Sequence, residues 1–283
     1  MSVFVSTCCV KNRNVIECCD TLINKGINSI ELSSGKYSPD TNQYLKNKSK
    51  FINFQVHNYF PPPKKSFVFN LASEDKKIQR LSINFAQRAI MLSKKLNRPF
   101  YSFHAGYLVD PKPNELGGKV KNQKLFNRSK ALERFIRNVK KLSKFANKNN
   151  VSLLIENNVL QKKEFNTFKK NSVLMSDPVE MMYVMKKTPK NIGLLLDLAH
   201  LKVSSNSLKF NLVNATKKLK KYIRGYHLSD NNGYEDSNKI INKNTWFWPH
   251  IKNNLDYYSL EIYNYDIKKI IKALNLTKKK LKK

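Results

Sequence analysis

Glycine, cysteine and acid are all scarce in this chain, and each shortage removes a class of function. Its 283 residues include 8 glycines, and none falls in a P-loop or a dinucleotide-binding fingerprint; Gly117-Gly118 stand isolated. A glycine-rich nucleotide cradle is therefore not the expected site. The 4 cysteines form two doublets, Cys8-Cys9 and Cys18-Cys19, and adjacent cysteines cannot easily aim both sulfurs at one ion. Core packing as reduced thiols is expected, not a zinc site or a disulfide framework. No apolar run approaches the roughly 20 residues needed to cross a bilayer. The start of the chain has no basic segment before its short apolar stretch and no small-residue cleavage pattern after it. A soluble cytoplasmic protein with no membrane span is the expectation.

Acidic residues number 20 against 53 lysines and arginines, a formal charge of +33. Such an excess points first to a polyanion partner. Yet Lys outnumbers Arg roughly five to one and is spread along the whole chain, whereas nucleic-acid recognition favours the planar fork of Arg. Lys, Asn and Ile are abundant together and share A/T-rich codons, so composition accounts for the charge without a ligand. Residues 275–283, which end in KKKLKK, read as a solvated basic tail.

The chain is long enough to bury one substantial core, and a single domain over residues 1–283 is expected. Eight β-rich runs alternate with amphipathic stretches: VFVS near the start, SIEL (29–32), FINFQVH (51–57), PFYSFH (99–104), VSLLIE (151–156), IGLLLD (192–197), IRGYH (223–227) and YSLEIY (258–263). Helices are predicted over 75–96, 127–148, 177–188, 207–221 and 264–281, and Asp177-Pro178 supplies an N-cap acceptor with proline in the first turn. Eight strands in βα alternation predict a closed (β/α)₈ TIM barrel of the α/β class. The irregular stretches 58–72, 105–124, 157–176 and 228–250 each follow a strand, so they rim the C-terminal mouth where such barrels place their chemistry.

Strands covered on both faces should be almost wholly apolar. Here His57, His104, Glu156, Asp197, His227 and Glu261 each sit at or near the end of a different predicted strand. Carboxylates buried together are costly unless paired or bound to a cation, and carboxylate with imidazole suits a divalent metal. Four of the 5 histidines, His57, His104, His200 and His227, fall at or just past these strand ends. His250, in WFWPH, is read as a packing or capping residue.

The segments HNY…NLAS (His57 through Ser73), SFHAG (102–106), IEN (155–157), DLAH (197–200), HLSDNNG (227–233) and LEIY (260–263) together resemble the xylose isomerase-like TIM barrel superfamily. It joins sugar and sugar-phosphate isomerases and epimerases, inosose dehydratases and endonuclease IV-type apurinic-site nucleases, and the resemblance spans nearly the whole chain. In the epimerase branch it implies one divalent ion (Mn, Zn, Co or Mg) on Glu156, Asp197, His227 and Glu261. That ion would hold a carbonyl and a hydroxyl oxygen of a carbohydrate while Glu156 and Glu261 exchange a proton at carbon, through an enediolate. His200 resembles a substrate-oxygen contact of the family. Barrels of the superfamily often pair, which makes a homo-oligomer an expectation.

The nuclease branch implies a di- or trinuclear zinc centre and a nucleic-acid substrate. His57, His104 and Glu156 match one of its sites, and Glu156, Asp197, His227 and Glu261 the second. The third would need His200, Asp236 and a histidine where this chain has Asn238, a poor zinc ligand. His57, His104, His200 and Asp236 are thus candidates for further metal binding or for hydrogen bonds to a sugar. Between His57 and NLAS the chain also carries PPPKKSFVF in place of the short DNA-contacting link of the nucleases. The metal-dependent sugar isomerase or epimerase is the preferred reading, with the abasic-site nuclease as the alternative.

Overall fold

A computed structural model describes residues 2–10, 14–33, 35–115 and 124–282. Its strands are β1 (Val3–Ser6), β2 (Ser29–Leu32), β3 (Asn53–His57), β4 (Phe100–His104), β5 (Ser152–Glu156), β6 (Ile192–Asp197), β7 (Ile223–Leu228) and β8 (Tyr258–Leu260). Each pairs in parallel with the next, and β8 returns to β1, which closes the barrel. The helices are α1 (Val15–Ile23), α2 (Thr41–Lys48), α3 (Lys76–Lys95), α4 (Arg128–Asn147), α5 (Lys162–Phe168), α6 (Pro178–Lys187), α7 (Leu198–Leu208), α8 (Leu212–Leu219) and α9 (Ile267–Leu281). Among the described residues no helix is long and apolar enough to cross a membrane.

Local chemistry sets the helix starts. Asn14 and Glu17 close a reciprocal capping box on α1, and Asp75, Asn127, Asp177 and Asn211 cap α3, α4, α6 and α8 with side-chain oxygens. Each cap is worth roughly 1 kcal/mol by satisfying amides that the helix leaves unpaired. Along α4, Ala131, Phe135, Val139 and Leu142 repeat at helical spacing and are buried against the barrel.

Period-two alternation along the strands produces the site. Phe4, Leu154, Leu195 and Tyr257 form a small apolar cluster apart from the main core. Two residues beyond Leu154 on β5 is Glu156, and two beyond Leu195 on β6 is Asp197, so the same strand faces that fill the cluster carry carboxylates one layer higher. Across the sheet His104 lies opposite Glu156, His57 opposite Ser102, and Asp197 opposite His227.

Three expectations need correction. Residues 275–281 are not a free tail: they complete α9, where Thr277 and Leu281 are buried and Lys280 lies over the Trp248 ring at 5.8 Å. The apolar face continues through the terminal charge run, and only Lys283 lies outside the described residues there. The helix expected over 207–221 is the shorter α8, because a separate helix, α7, runs up to Leu208 and ends at the left-handed Lys209 (φ 61°) before Asn211 caps α8. The stretch 157–176 is not wholly irregular but holds α5. Gly117-Gly118 fall within 116–123, outside the described residues.

Candidate metal centre

Every residue expected at the site is brought to one end of the barrel. The Nδ1 of His227 lies 3.1 Å from Glu156 Oε1, 3.5 Å from Glu261 Oε2 and 3.8 Å from Asp197 Oδ2. On the other side of Glu156, its Oε2 is 3.2 Å from His57 Nε2 and 3.5 Å from His104 Nε2. His200 Nδ1 stands 3.5 Å from Glu156 Oε1, and its Nε2 stands 3.5 Å from Asp236 Oδ2. Glu156, Asp197, His227 and Glu261 can each offer one ligand atom such that all four lie within 4.8 Å of one another, and so can His57, His104 and Glu156.

The donor set fits a divalent cation on two grounds. Glu156 Oε2 and Asp197 Oδ2 are buried with no hydrogen-bond partner, a cost of several kcal/mol for ionised groups unless a cation meets them. The second ground is charge. Glu31, Glu156, Asp197 and Glu261 are all buried around His227, and even a fully protonated His227 and His200 would leave negative charge in excess. Oxygen with imidazole nitrogen is the ligand chemistry of Mn, Zn, Co or Fe.

Neighbours drive the titrations apart. Burial alone would raise the Glu156 carboxyl, but the imidazoles of His104, His227 and His57 outweigh it and hold the group well below the usual range. Glu261 goes the other way: burial, with Cys8 beside it, raises it well above, and His227 only partly offsets this. Asp197 is pushed up to about 6, mainly by burial. Burial works against charge on His227 and His200 too, yet Glu31 and Glu156 raise the first and Asp197 and Asp236 the second. Burial dominates at His57, which falls to about 3.

The floor of the site is welded to the surrounding loops by amides. Asp197 uses Oδ1 to cap α7 at His200 N (2.7 Å), which leaves Oδ2 free for the site. Asn157 brackets the Asp197 backbone, accepting from its N–H at 2.8 Å and donating to its carbonyl at 3.1 Å. Asn158 Nδ2 reaches the carbonyls of Ala105, Gly106 and Leu174 at 2.9, 3.1 and 3.0 Å. Asn70, of NLAS, grips the same loop through Tyr107 O, Val109 O and Asp110 Oδ1. Gly106 is required by that closeness: a Cβ there would lie 2.5 Å from Ala72 Cβ and 2.9 Å from Asn70 Oδ1.

Four participants lie outside the residues that the sequence singles out. Glu31 on β2 lies 3.0 Å from His227 Nε2 and accepts the Tyr257 hydroxyl in a short hydrogen bond. Ser102 Oγ stands 3.1 Å from that hydroxyl and 2.9 Å from His57 Nδ1. A charged residue inside the strand SIEL is the same signal that finds Glu156, and it identifies Glu31 equally well. Tyr257 and Ser102 carry no charge and read as core. Cys8, expected to pack, instead lines the cavity and donates to Glu261 Oε1 at 3.7 Å, whereas Cys9, Cys18 and Cys19 are buried.

Asn238, where the nuclease pattern needs histidine, is buried with neither side-chain polar atom hydrogen-bonded. His250 packs beside Trp246, with ring centroids 6.3 Å apart, as expected. Above the floor opens a cavity of about 830 Å³, walled by Tyr107, Val109, Pro111, Phe168 and Val173. Its described lining residues also include Lys163 and the acids Glu115, Glu164, Asp236 and Glu261.

This barrel, with its carboxylate and imidazole floor, matches the model of the xylose isomerase-like TIM barrel family over residues 21–275, and the chain belongs to that family. Among solved structures it is similar to a D-tagatose 3-epimerase-like protein (TM-score 0.75, 19% identity, covering 100% of this chain and 97% of the other). It is also similar to the D-psicose 3-epimerase of Clostridium cellulolyticum with D-tagatose (TM-score 0.69, 14% identity, 99% of each chain). A third likeness is to a Thermus thermophilus protein soaked with ZnCl2 (TM-score 0.61, 16% identity, 99% of each chain). A search of curated protein sequences returned no match.

Proposed function

We propose that the protein is a divalent-metal-dependent isomerase or epimerase of a sugar or sugar phosphate, with Glu156 and Glu261 as the proton-transferring pair. The observation that carries this reading is the placement of those two carboxyls, from different strand ends, in one buried donor set with Asp197 and His227. Glu156 ends β5 and Glu261 lies just past β8, with His227 Nδ1 3.1 Å from the one and 3.5 Å from the other. A reaction that removes a proton from carbon on one side and returns one on the other needs such a pair, one group starting as base and the other as acid. When bound to Glu156, Asp197, His227 and Glu261, a divalent ion supplies Lewis-acid polarisation of adjacent carbonyl and hydroxyl oxygens.

The chain's own residues do the rest. His200 and Asp236, paired at the cavity wall, hold a donor and an acceptor where a sugar hydroxyl can sit. The apolar wall of Val109, Pro111, Phe168 and Val173 limits water at the floor. The family and the sugar epimerases of the same fold support this reading.

The test is solvent-deuterium incorporation into a panel of ketoses and ketose phosphates by the Mn-loaded protein. Exchange at the carbon beside the carbonyl, lost in Glu156→Gln and in Glu261→Gln, is the expected result; a panel with no exchange would reject the reading. The grouping of His57, His104 and Glu156 favours a second reading, an abasic-site nuclease with more than one metal. Cleavage of an abasic duplex, lost in Asp197→Ala, would establish that reading instead.

A further inference from the structure

We infer that Glu31 is a positioning residue that decides which nitrogen both His227 and His57 turn toward Glu156, acting through a buried chain of hydrogen bonds. The chain runs His227–Glu31–Tyr257–Ser102–His57 and joins five strand ends or strand neighbours across the barrel interior. Each of its members is buried.

The direction of every bond follows from counting hydrogens. Both contacts to Glu31 fall on one oxygen, Oε2, and a carboxylate oxygen can only accept. His227 must therefore donate through Nε2–H, at 3.0 Å. Its Nδ1 is then the nitrogen that faces Glu156, Asp197 and Glu261. On the other branch Tyr257 spends its single hydroxyl hydrogen on Glu31, so toward Ser102 it can only accept, and Ser102 must donate across 3.1 Å. With its only hydrogen used, Ser102 Oγ can receive but not give toward His57, 2.9 Å away. His57 is thereby required to carry a hydrogen on Nδ1. In a neutral ring the lone pair then lies on Nε2, the atom 3.2 Å from Glu156 Oε2.

One carboxylate thus fixes one hydrogen on each ring, at Nε2 of His227 and at Nδ1 of His57, and leaves His227 Nδ1, 3.1 Å from Glu156 Oε1, as the nitrogen whose hydrogen a cation would displace. Left to itself the His57 ring would do the reverse, because a donor toward Glu156 is worth more than a lone pair against it. A His57 lone pair facing Glu156 Oε2 suits a ring that meets a cation, in the way that outer carboxylates orient metal-binding histidines. That purpose rests on the metal-centre reading above; the tautomers do not.

Nuclear magnetic resonance of the metal-free full chain with ¹⁵N-labelled histidine reads the proposal directly, since 5 histidines can be assigned by single substitutions. The expected spectrum shows His57 protonated at Nδ1 and bare at Nε2, with His227 protonated at Nε2. Tyr257→Phe frees the Ser102 hydroxyl to turn toward His57, so His57 should switch to the Nε2–H form that donates to Glu156, while His227 keeps its bond to Glu31. Ser102→Ala cuts the same link and should also switch His57, which covers the case of a Tyr257 variant that does not fold. A wild-type His57 protonated at Nε2, or a His57 unmoved by both variants, would overturn the inference. Calorimetric titration with Mn²⁺ adds the second arm: Glu31→Gln should weaken binding about 10- to 100-fold, and unchanged affinity would refute a role in orienting ligands. If the wild-type chain binds no Mn²⁺, the metal reading fails and the tautomers alone decide.

Discussion

The β5 side and the β8 side of the site hold the same side chain in opposite states. Glu156 ends β5 within 3.5 Å of four imidazoles. Glu261 lies just beyond β8, where His227 Nδ1 stands 3.5 Å away and Cys8 is its hydrogen-bond donor. Placement on a strand end gives both a common depth and a common enclosure. What separates them is the count of imidazoles within reach, so acid and base roles here are a property of the neighbours and not of the residue type.

That contrast can be broken most sharply at turnover. Glu156→Gln and Glu261→Gln should each lower kcat for carbon–hydrogen exchange by about 10²–10⁴-fold, measured with the ketose that exchanges in the wild type. Stability of the metal-free protein should then split them. Glu156→Gln strands buried imidazoles and should cost about 3–5 kcal/mol. Glu261→Gln replaces a carboxyl that burial already drives toward neutrality, and should leave stability unchanged or raise it by about 1 kcal/mol; urea unfolding with chelator present compares the two. Equal losses in both variants would erase the difference between the two sides.

Smaller effects follow from pH and from sulfur. Asp197 sits above its ordinary 3.8, at about 6 in the fold. The folded chain therefore keeps a proton that the unfolded chain has lost, and its contribution to metal-free stability is full below about pH 4 and lost as pH rises through about 6. Over the same window that proton leaves the ion's place, so Mn²⁺ should bind more tightly as pH rises and add about 2.7 kcal/mol of stability at a hundredfold excess over Kd. Melting curves from pH 4 to pH 7 with and without Mn²⁺ should diverge toward the upper end. Cys8→Ala should be the mildest change, shifting turnover by less than about tenfold, the value of one hydrogen bond, with its trace in the acid limb of the pH profile if the thiol helps hold Glu261 neutral.

Much of this is legible in the sequence, for a physical reason. Charged residues inside runs that must be buried on both faces are costly, so Glu156, Asp197, His227 and Glu261 stand out by position alone, and the eight strands that carry the site fall within two or three residues of their expected bounds. Glu31 obeys the same rule but escapes notice, because a single acid in a short strand has no motif around it. Tyr257 and Ser102 are not legible at all: a buried tyrosine looks like core until a carboxylate is found at its hydroxyl. At the end of the chain the helix over 264–281 is legible, but the run of lysines hides how far its apolar face continues, through Thr277 to Leu281.

The double use of Asp197 has a further consequence. Its side chain is already fixed when the barrel folds, because one oxygen is committed to the first turn of α7. Rotamer freedom worth about 0.5–1.5 kcal/mol for a side chain immobilised on binding is surrendered during folding instead. An arriving ion meets a carboxylate with no conformational entropy left to lose, and a fraction of its affinity was settled when the helix began.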